Sequence, residues 1–395
     1  AQLAIYIGWL LHRTIGGLIA GLLFVLPGFL VILALSIAYV RLGDLPALEG
    51  LFFGLKAAVL AVVVEAVLRI GRRALRSVLL VAIATAAFVA LRLFDVPFPA
   101  VVLGAAMAGL LAHRWLPGGA EHSSPETTQA PDRYLADRLL AAGGLAHTRP
   151  SAARAARVAV AWLLAWWLPV LALAAALGAG SVLARQGVFF SQAAVVSFGG
   201  AYAVLAYIAQ RAVEDFAWIA PGEMLDGLAL AETTPGPLIL VVQFVAFLGA
   251  FRHETGLSPM AAGIGGSLLV TWVTFAPCFL WIFMGGPWIE ALRGNRALQA
   301  ALTAITAAVV GVILNLSVWF ALHVVFAEVE VLRFGPLRLD LPVWASIDWA
   351  ALLLAAAAML AMLRLRVGMG WTLAGAALAG VAWILWLQPA VAALG

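Results

Sequence analysis

The stretch PGEMLDGLALAETTPGPLILVVQFVAFLGAF, residues 221–251, decides how this chain is read. Thr233-Thr234-Pro235-Gly236-Pro237 interrupts what would otherwise be one continuous apolar helix. Proline lacks a backbone N–H and collides with the preceding turn, so a helix cannot run through two of them. In lipid, a broken backbone survives only where protein or a water-filled cavity surrounds it. A break of this kind at mid-depth points to a substrate site in a secondary transporter.

Composition supports a membrane setting. Of 395 residues 65% are hydrophobic and only 11% charged, and the mean hydropathy is +1.07. Soluble domains run near 45–50% apolar. The charges gather between apolar stretches of spanning length, so the class is an all-α polytopic membrane protein. The net charge of +4 does not imply nucleic acid, because the arginines lie in short loops where they set topology. Lys56 is the sole lysine and Cys278 the sole cysteine, which excludes an intramolecular disulfide. The chain opens on Ala1 with no basic segment before the apolar run, which does not fit a signal peptide. That opening reads as the middle of a helix and predicts an upstream part.

Apolar spans are expected at about 18–40, 50–70, 76–95 and 98–115, then at 158–183, 190–212, 221–251 (broken), 260–284, 298–326, 344–363 and 368–388. This gives about 11 spans plus an N-terminal helix remnant at 2–11. A polar stretch at 117–157, rich in Pro, Gly, Ser and charge, reads as a cytoplasmic linker. Basic clusters at Arg69–Arg76, around the linker, at Arg293 and Arg296, and at Arg364 and Arg366 mark inner loops. The loops at 41–49 and 327–343 suit the outside. These assignments agree if 221–251 crosses the membrane once, with Arg211, Glu214 and Asp215 forming a solvated inner turn.

The halves look related. Gln2 to Gly8 echoes Gln243 to Gly249, and Pro27-Gly28-Phe29-Leu30 echoes Pro277-Cys278-Phe279-Leu280, though displaced by nine positions. Leu48-Glu49 echoes Ile289-Glu290. With the loop charges, this predicts two inverted-topology repeats with discontinuous helices. The first occupies 1–116 without its N-terminal motifs, an inverting helix covers 158–189, and the second repeat covers 190–395. Inverted repeats place substrate near the midplane at their interface.

Ser197-Phe198-Gly199-Gly200-Ala201-Tyr202, Trp218-Ile219, Glu223-Met224-Leu225-Asp226 and Pro235-Gly236-Pro237, in that order, resemble the chromate transporter family over nearly the whole chain. The set is specific as an ensemble, whereas either glycine motif alone carries little. The resemblance implies efflux of chromate, with sulfate as the look-alike anion, and chromate resistance at a bacterial inner membrane. It also implies a secondary transporter built as a tandem of oppositely oriented halves. The sequence departs from the family pattern in lacking the first-half FGG and PGP motifs, which puts half of the expected site in question.

Chromate and sulfate are tetrahedral dianions, and a helix N-terminus offers unpaired N–H groups and about half a positive charge. Pro237 suits the first position of the second half-helix. Gly236 permits close backbone approach, and Thr233 and Thr234 offer hydroxyls that could cap that helix. The alternative for Pro235-Gly236-Pro237 is a kink that only packs. Phe198, Gly199 and Gly200 mark close backbone approach or a second break, or else helix packing. Gln243 and its counterpart Gln2 could donate amide hydrogens to the anion. Lys56 lies roughly 9 Å into its span at 1.5 Å per residue, and either snorkels or neutralises the dianion. Glu232 and Asp226 are proposed proton-coupling groups, since an intramembrane carboxylate is expensive and functional by default. Glu223 and Asp226, one turn apart near the start of their helix, could instead simply favour its positive end. Tyr202 could donate its hydroxyl, and Glu65 suits an i,i+4 pair with Arg69.

His253-Glu254 lacks the second histidine of a zinc motif, and no phosphate-binding loop occurs. No cofactor, metal site or nucleic-acid partner is therefore expected, and the chain is not read as an enzyme. Partners are the anion and membrane lipid, with a homodimer left open. Competing readings are a sulfate importer or exchanger and, in a different class, a polytopic membrane enzyme.

Overall fold

Helix starts follow local chemistry in the computed structural model, which describes residues 1–43, 45–113, 150–197, 201–288 and 295–392. Prolines occupy the first turn of α2 (Pro46–Ala74), α4 (Phe98–Leu111), α8 (Pro221–Thr233) and α10 (Pro259–Gly285), where a missing N–H costs nothing. Side-chain oxygens of Ser77, Ser181, Ser258, Asn295 and Asp348 accept the first free N–H groups of α3 (Val78–Phe94), α6 (Val182–Val195), α10, α11 (Arg296–Val325) and α12 (Trp349–Met359). The remaining α-helices are α1 (Gln2–Leu42), α5 (Ala152–Leu177), α7 (Ala201–Gln210), α9 (Val241–Arg252), α13 (Met369–Ala382) and the short α14 (Gln388–Ala392). Among the described residues six helices are long and apolar enough to cross a membrane, and four apolar helices are shorter. The linker expected at 117–157 falls largely on 114–149, outside the described residues, as do Phe198, Gly199 and Gly200.

Three stretches fold back on themselves. Within α1 the backbone leaves helical geometry at His12 and at Arg13, where φ is 56°. Residues 2–11 therefore pack antiparallel on the next helix, with Gly8 against Gly16 and the Ile5 carbonyl against Gly17. In the second case α6 and α7 lie side by side, with Phe189 tilted against Tyr207 (5.4 Å) and edge-on to Trp218 (5.7 Å). The third hairpin pairs α8 with α9. Arg252, the last residue of α9, binds Glu223 in the first turn of α8 at 2.6 Å. A Cβ on Gly227 would lie 2.5 Å from the Phe244 ring.

This corrects the single crossing expected for 221–251. Arms of 13 and 12 residues reach only roughly 20 Å at 1.5 Å per residue, about half of a spanning helix. The charges at their outer ends pair with each other, so both ends occupy one polar layer. The stretch 190–212 likewise folds back, and α5 and α6 meet at 178–181, so the helix expected over 158–189 is two elements. The Arg211–Asp215 turn changes ends accordingly. Glu214 binds Arg338 at 2.6 Å and Gln210 binds Asp95 at 2.5 Å, which places this turn with the 95–97 and 327–343 loops. Two crossings are replaced by two hairpins, so the order of ends for the later loops is unchanged.

The C-terminal ends of α1, α3, α5 and α9 share one end of the bundle with a two-stranded antiparallel hairpin, β1 (Val329–Phe334) and β2 (Leu337–Pro342). There Arg338 binds Asp340 at 3.1 Å and approaches Asp95 at 3.6 Å, and Arg92 binds Asp340 at 2.5 Å. At the opposite end the described residues include ten arginines (Arg13, Arg69, Arg72, Arg73, Arg76, Arg154, Arg157, Arg296, Arg364 and Arg366) and one carboxylate, Glu65.

Early and late helices interlock. α2 packs on α12 and α13, while α11 packs on α3 and α4. Gly50 and Gly54 meet Ala376 and Gly380 so closely that a Cβ on Gly54 or Gly380 would collide with backbone of the other helix. Gly311 abuts the Ala84 carbonyl in the same way. Lipid tails are as apolar as leucine, so such contacts hold helices together by close van der Waals fit. Gly54→Leu should abolish a monodisperse peak in detergent size-exclusion chromatography. Gly375→Leu, on the same partner helix with nothing within 4 Å of its would-be Cβ, should leave the peak intact.

Candidate functional site

The tip of the α8–α9 hairpin is a non-helical crossing of small and rigid residues. α8 stops at Thr233, Thr234 is extended (φ −98°, ψ 148°), and Gly236 has φ 147°, a conformation that suits glycine. Pro237 is extended and leads into a single 3-10 turn, Leu238–Leu240, before α9. Thr233, Pro235 and Gly236 are exposed, so the tip faces open space rather than packed protein on one side. On the other side a Cβ on Gly236 would sit 3.1 Å from the Cα of Gly28, and a Cβ on Gly28 would sit 3.0 Å from the Pro235 carbonyl oxygen. Two glycines thus allow the broken segment to lie directly on α1.

The threonines do not cap the second arm. Thr233 donates to the carbonyls of Ala229 (3.1 Å) and Leu230 (3.0 Å), and Thr234 donates to Ala231 (3.2 Å). Their hydroxyl hydrogens return to the last turn of α8, where the Leu230 and Ala231 carbonyls are among those the helix end leaves without helical partners. In the second arm, the N–H of Leu240 bonds to the Pro237 carbonyl at 2.9 Å. The N–H groups of Leu238 and Ile239 have no backbone acceptor among the described residues.

Gln243 is fully buried, and its amide N–H donates to the Phe29 carbonyl at 3.0 Å. The expected donor to an anion is therefore engaged in bracing α9 against α1, one residue beyond Gly28. Gln2 lies near the Cys278 thiol, beside Pro277 in α10. Each glutamine reaches the Pro-x-Phe element of the other part of the chain.

The acids form two separate pairs. Tyr202 of α7 donates to Glu232 at 2.5 Å, and the Glu65–Arg69 pair of α2 supplies the charged neighbours of that carboxylate. Asp226 is 3% exposed. It takes the Lys56 ammonium at 3.2 Å on one oxygen and the Tyr39 hydroxyl at 2.9 Å on the other. Lys56 therefore does not snorkel alone. Glu223 accepts the Ala220 N–H at 2.8 Å, as its position at the start of α8 predicts, and also holds Arg252. A cavity of about 400 Å³ opens beside Tyr39, Glu49, Lys56, Asp226 and Arg252. A smaller space of about 20 Å³ lies between the hairpins, bounded by Ser197, Ile239, Val242 and Thr274. No cluster of metal-ligating side chains occurs among the described residues.

Tyr39 and Arg252 escaped the sequence reading. Arg252 is 29 positions from Glu223, a separation that becomes meaningful only once the arms are known to fold back. Tyr39 is 187 positions from Asp226, and no local pattern links them.

The chromate transporter family matches this sequence over residues 1–110 and 185–381, which include both hairpin arms, the interlocked helices and the two acid pairs. The chain belongs to that family. It is 28% identical over 313 residues to a chromate transport protein of Cupriavidus metallidurans, covering 79% of this chain and 66% of that protein. A chromate transport protein of Pseudomonas aeruginosa is 32% identical over 79% of this chain and 65% of its own length. A probable chromate transport protein of Synechococcus elongatus is 26% identical over 79% and 68%. The chain spans about two thirds of the length of these relatives. No solved structure matches it.

Gln243→Leu should lower stability by about 1 kcal/mol, the usual worth of one hydrogen bond. Thermal unfolding in detergent checks this, and an unchanged midpoint would remove the brace.

Proposed function

We propose that this protein is a secondary transporter that exports chromate, and sulfate-like tetrahedral oxyanions with it, across the inner membrane of a bacterium. The arginine-rich end faces the cytoplasm, in keeping with the excess of basic residues on inner loops. The substrate site lies at the α8–α9 tip, Thr233 to Pro237; Phe198, Gly199 and Gly200, assigned to it from the sequence alone, lie outside the described residues. The observation that carries this reading is the N–H pair of Leu238 and Ile239, which follows a broken helix whose tip is exposed yet held inside the bundle. Such N–H groups suit an oxyanion without a full positive charge that would trap it. The relatives named as chromate transport proteins support the choice of anion.

The architecture is read as two copies related by inversion. In one copy residues 2–11, the rest of α1, α2, α3 and α4 follow one another. Their counterparts are α9, α10, α11, α12 and α13, running in opposite directions. The reciprocal reach of Gln243 to Phe29 and Gln2 to Cys278 supports this, as does the exchange of packing partners between α2 and α11. The nine-position displacement of the Pro-x-Phe element has a plain origin. The turn after the first arm is two residues in one copy and 253–258 in the other, and α10 runs further before its proline. Glu232 serves as a proton-coupling group, with Tyr202 holding its charged form.

Counterflow in proteoliposomes holding the complete protein, comparing chromate, sulfate, molybdate and phosphate, tests the reading. Chromate should exchange fastest, and preference for sulfate would favour a sulfate exchanger instead. Gly236→Leu should weaken chromate binding at least about tenfold, or ~1.4 kcal/mol. Full retention of binding would remove the tip as the site. Glu232→Gln should flatten the pH dependence of flux while leaving expression unchanged, and an unaltered profile would end its proton role.

A further inference from the structure

We propose that Lys56 is an exchangeable counter-ion that pairs either with Asp226 or with an oxyanion passing through the outer cavity, and that Asp226 takes up a proton when it loses the lysine. The inference rests on the transport reading above and adds a coupling step at a place distinct from the hairpin tip.

The two partners differ in access. The Lys56 side chain is 29% exposed and that of Asp226 only 4%. The cavity of about 400 Å³ lies against both, so a solute in it meets the ammonium far more readily than the carboxylate. Lysine suits such a role, being a compact charge on a flexible four-carbon stem that can swing between acceptors. Arg252, the other cation on this cavity, is already engaged. Glu223 holds its guanidinium by two hydrogen bonds and is itself fixed by the Ala220 N–H. Lys56 is thus the cation at this cavity that can change partner with least disruption.

The charges around Asp226 set the consequence. Lys56 comes from α2, Tyr39 from α1, Glu223 from the preceding turn of α8 and Arg252 from α9, while Glu49 of α2 lines the same cavity. Three carboxylates already face two cations there. A dianion that draws Lys56 away leaves Asp226 charged, buried and beside further negative charge. Burial and like charge both favour the neutral acid. The balance is simple: the Lys56–Asp226 ion pair breaks, an ammonium–oxyanion pair forms, and one proton from cavity water converts the Asp226 carboxylate to a carboxylic acid. Tyr39 keeps its hydrogen bond to the second oxygen. By linkage, proton and anion then bind with positive coupling. Release of the anion returns Lys56 to Asp226 and expels the proton.

The experiment is proton uptake on anion binding. Chromate is added to the complete detergent-solubilised protein at mildly alkaline pH, and uptake is read with an indicator dye against the same addition to buffer alone. Wild type should take up close to one proton per chromate bound. Asp226→Asn should cut uptake to near zero and remove the pH dependence of affinity. Lys56→Met should weaken binding at least about tenfold. Tyr39→Phe deletes a donor that favours the charged carboxylate, so it should move the pH window of uptake upward, which serves if the asparagine variant does not fold. Chromate binding with no proton uptake, or equal uptake in Asp226→Asn, overturns the exchange and leaves the transporter reading standing. Absence of chromate binding by the wild type removes both.

Discussion

A peptide group without a partner in hydrocarbon has no water to turn to, and each such group costs several kcal/mol. The Thr233–Pro237 break exposes several of them, and the surrounding structure is arranged around that liability. The threonine hydroxyls satisfy the last carbonyls of α8. Gly28 lets α1 lie flush against Gly236, and Gln243 ties the second arm to the Phe29 carbonyl beside that contact. What is left over is an N–H pair at the start of the second arm. The hairpin geometry follows from the same constraint, because both polar outer ends return to one layer and close with the Glu223–Arg252 pair.

The bundle around the hairpins is held by fit more than by polarity. α2 presents Gly50 and Gly54 to α13, and α11 presents Gly311 to α3. Polar contacts then concentrate where helices meet at their ends. Arg338 binds Asp340 on its own strand and reaches Glu214 and Asp95 on elements distant in sequence, and these two pin the β-hairpin. Glu214 and Asp340 also raise the hold of the Arg338 guanidinium on its proton, chiefly through the Glu214 hydrogen bond. Asp226 with Lys56 and Glu232 with Tyr202 are among the polar contacts that lie deeper, as is the Gln243–Phe29 hydrogen bond.

Much of this was legible in the residues. The Pro-Gly-Pro break, the polar end of α8 at Glu223 and the Glu65–Arg69 pair all follow from local chemistry. The broken span was misread as a crossing because hydropathy counts apolar length and is blind to direction. A run of 31 apolar-rich residues with a central break suits one spanning helix in two pieces or two half-depth arms equally well. The ion pair between its ends distinguishes them, and that pair exists only in three dimensions. The same limit hid Tyr39, and it hid the pairing of Lys56 with Asp226, which were each singled out alone. Local rules could not show that Gln243 spends its amide on Phe29, because the acceptor belongs to the other part of the chain.

The contact of Gly54 with Ala376 also has a bearing on biogenesis. About 320 residues separate the two, and ribosomes add about 5–20 residues per second. The second helix of the described chain must therefore wait roughly 20–60 s in the bilayer before its glycine groove meets the helix that fills it. Until then the early segments are threaded but unfinished, and this tertiary seam closes only once the helix that carries Ala376 has been made.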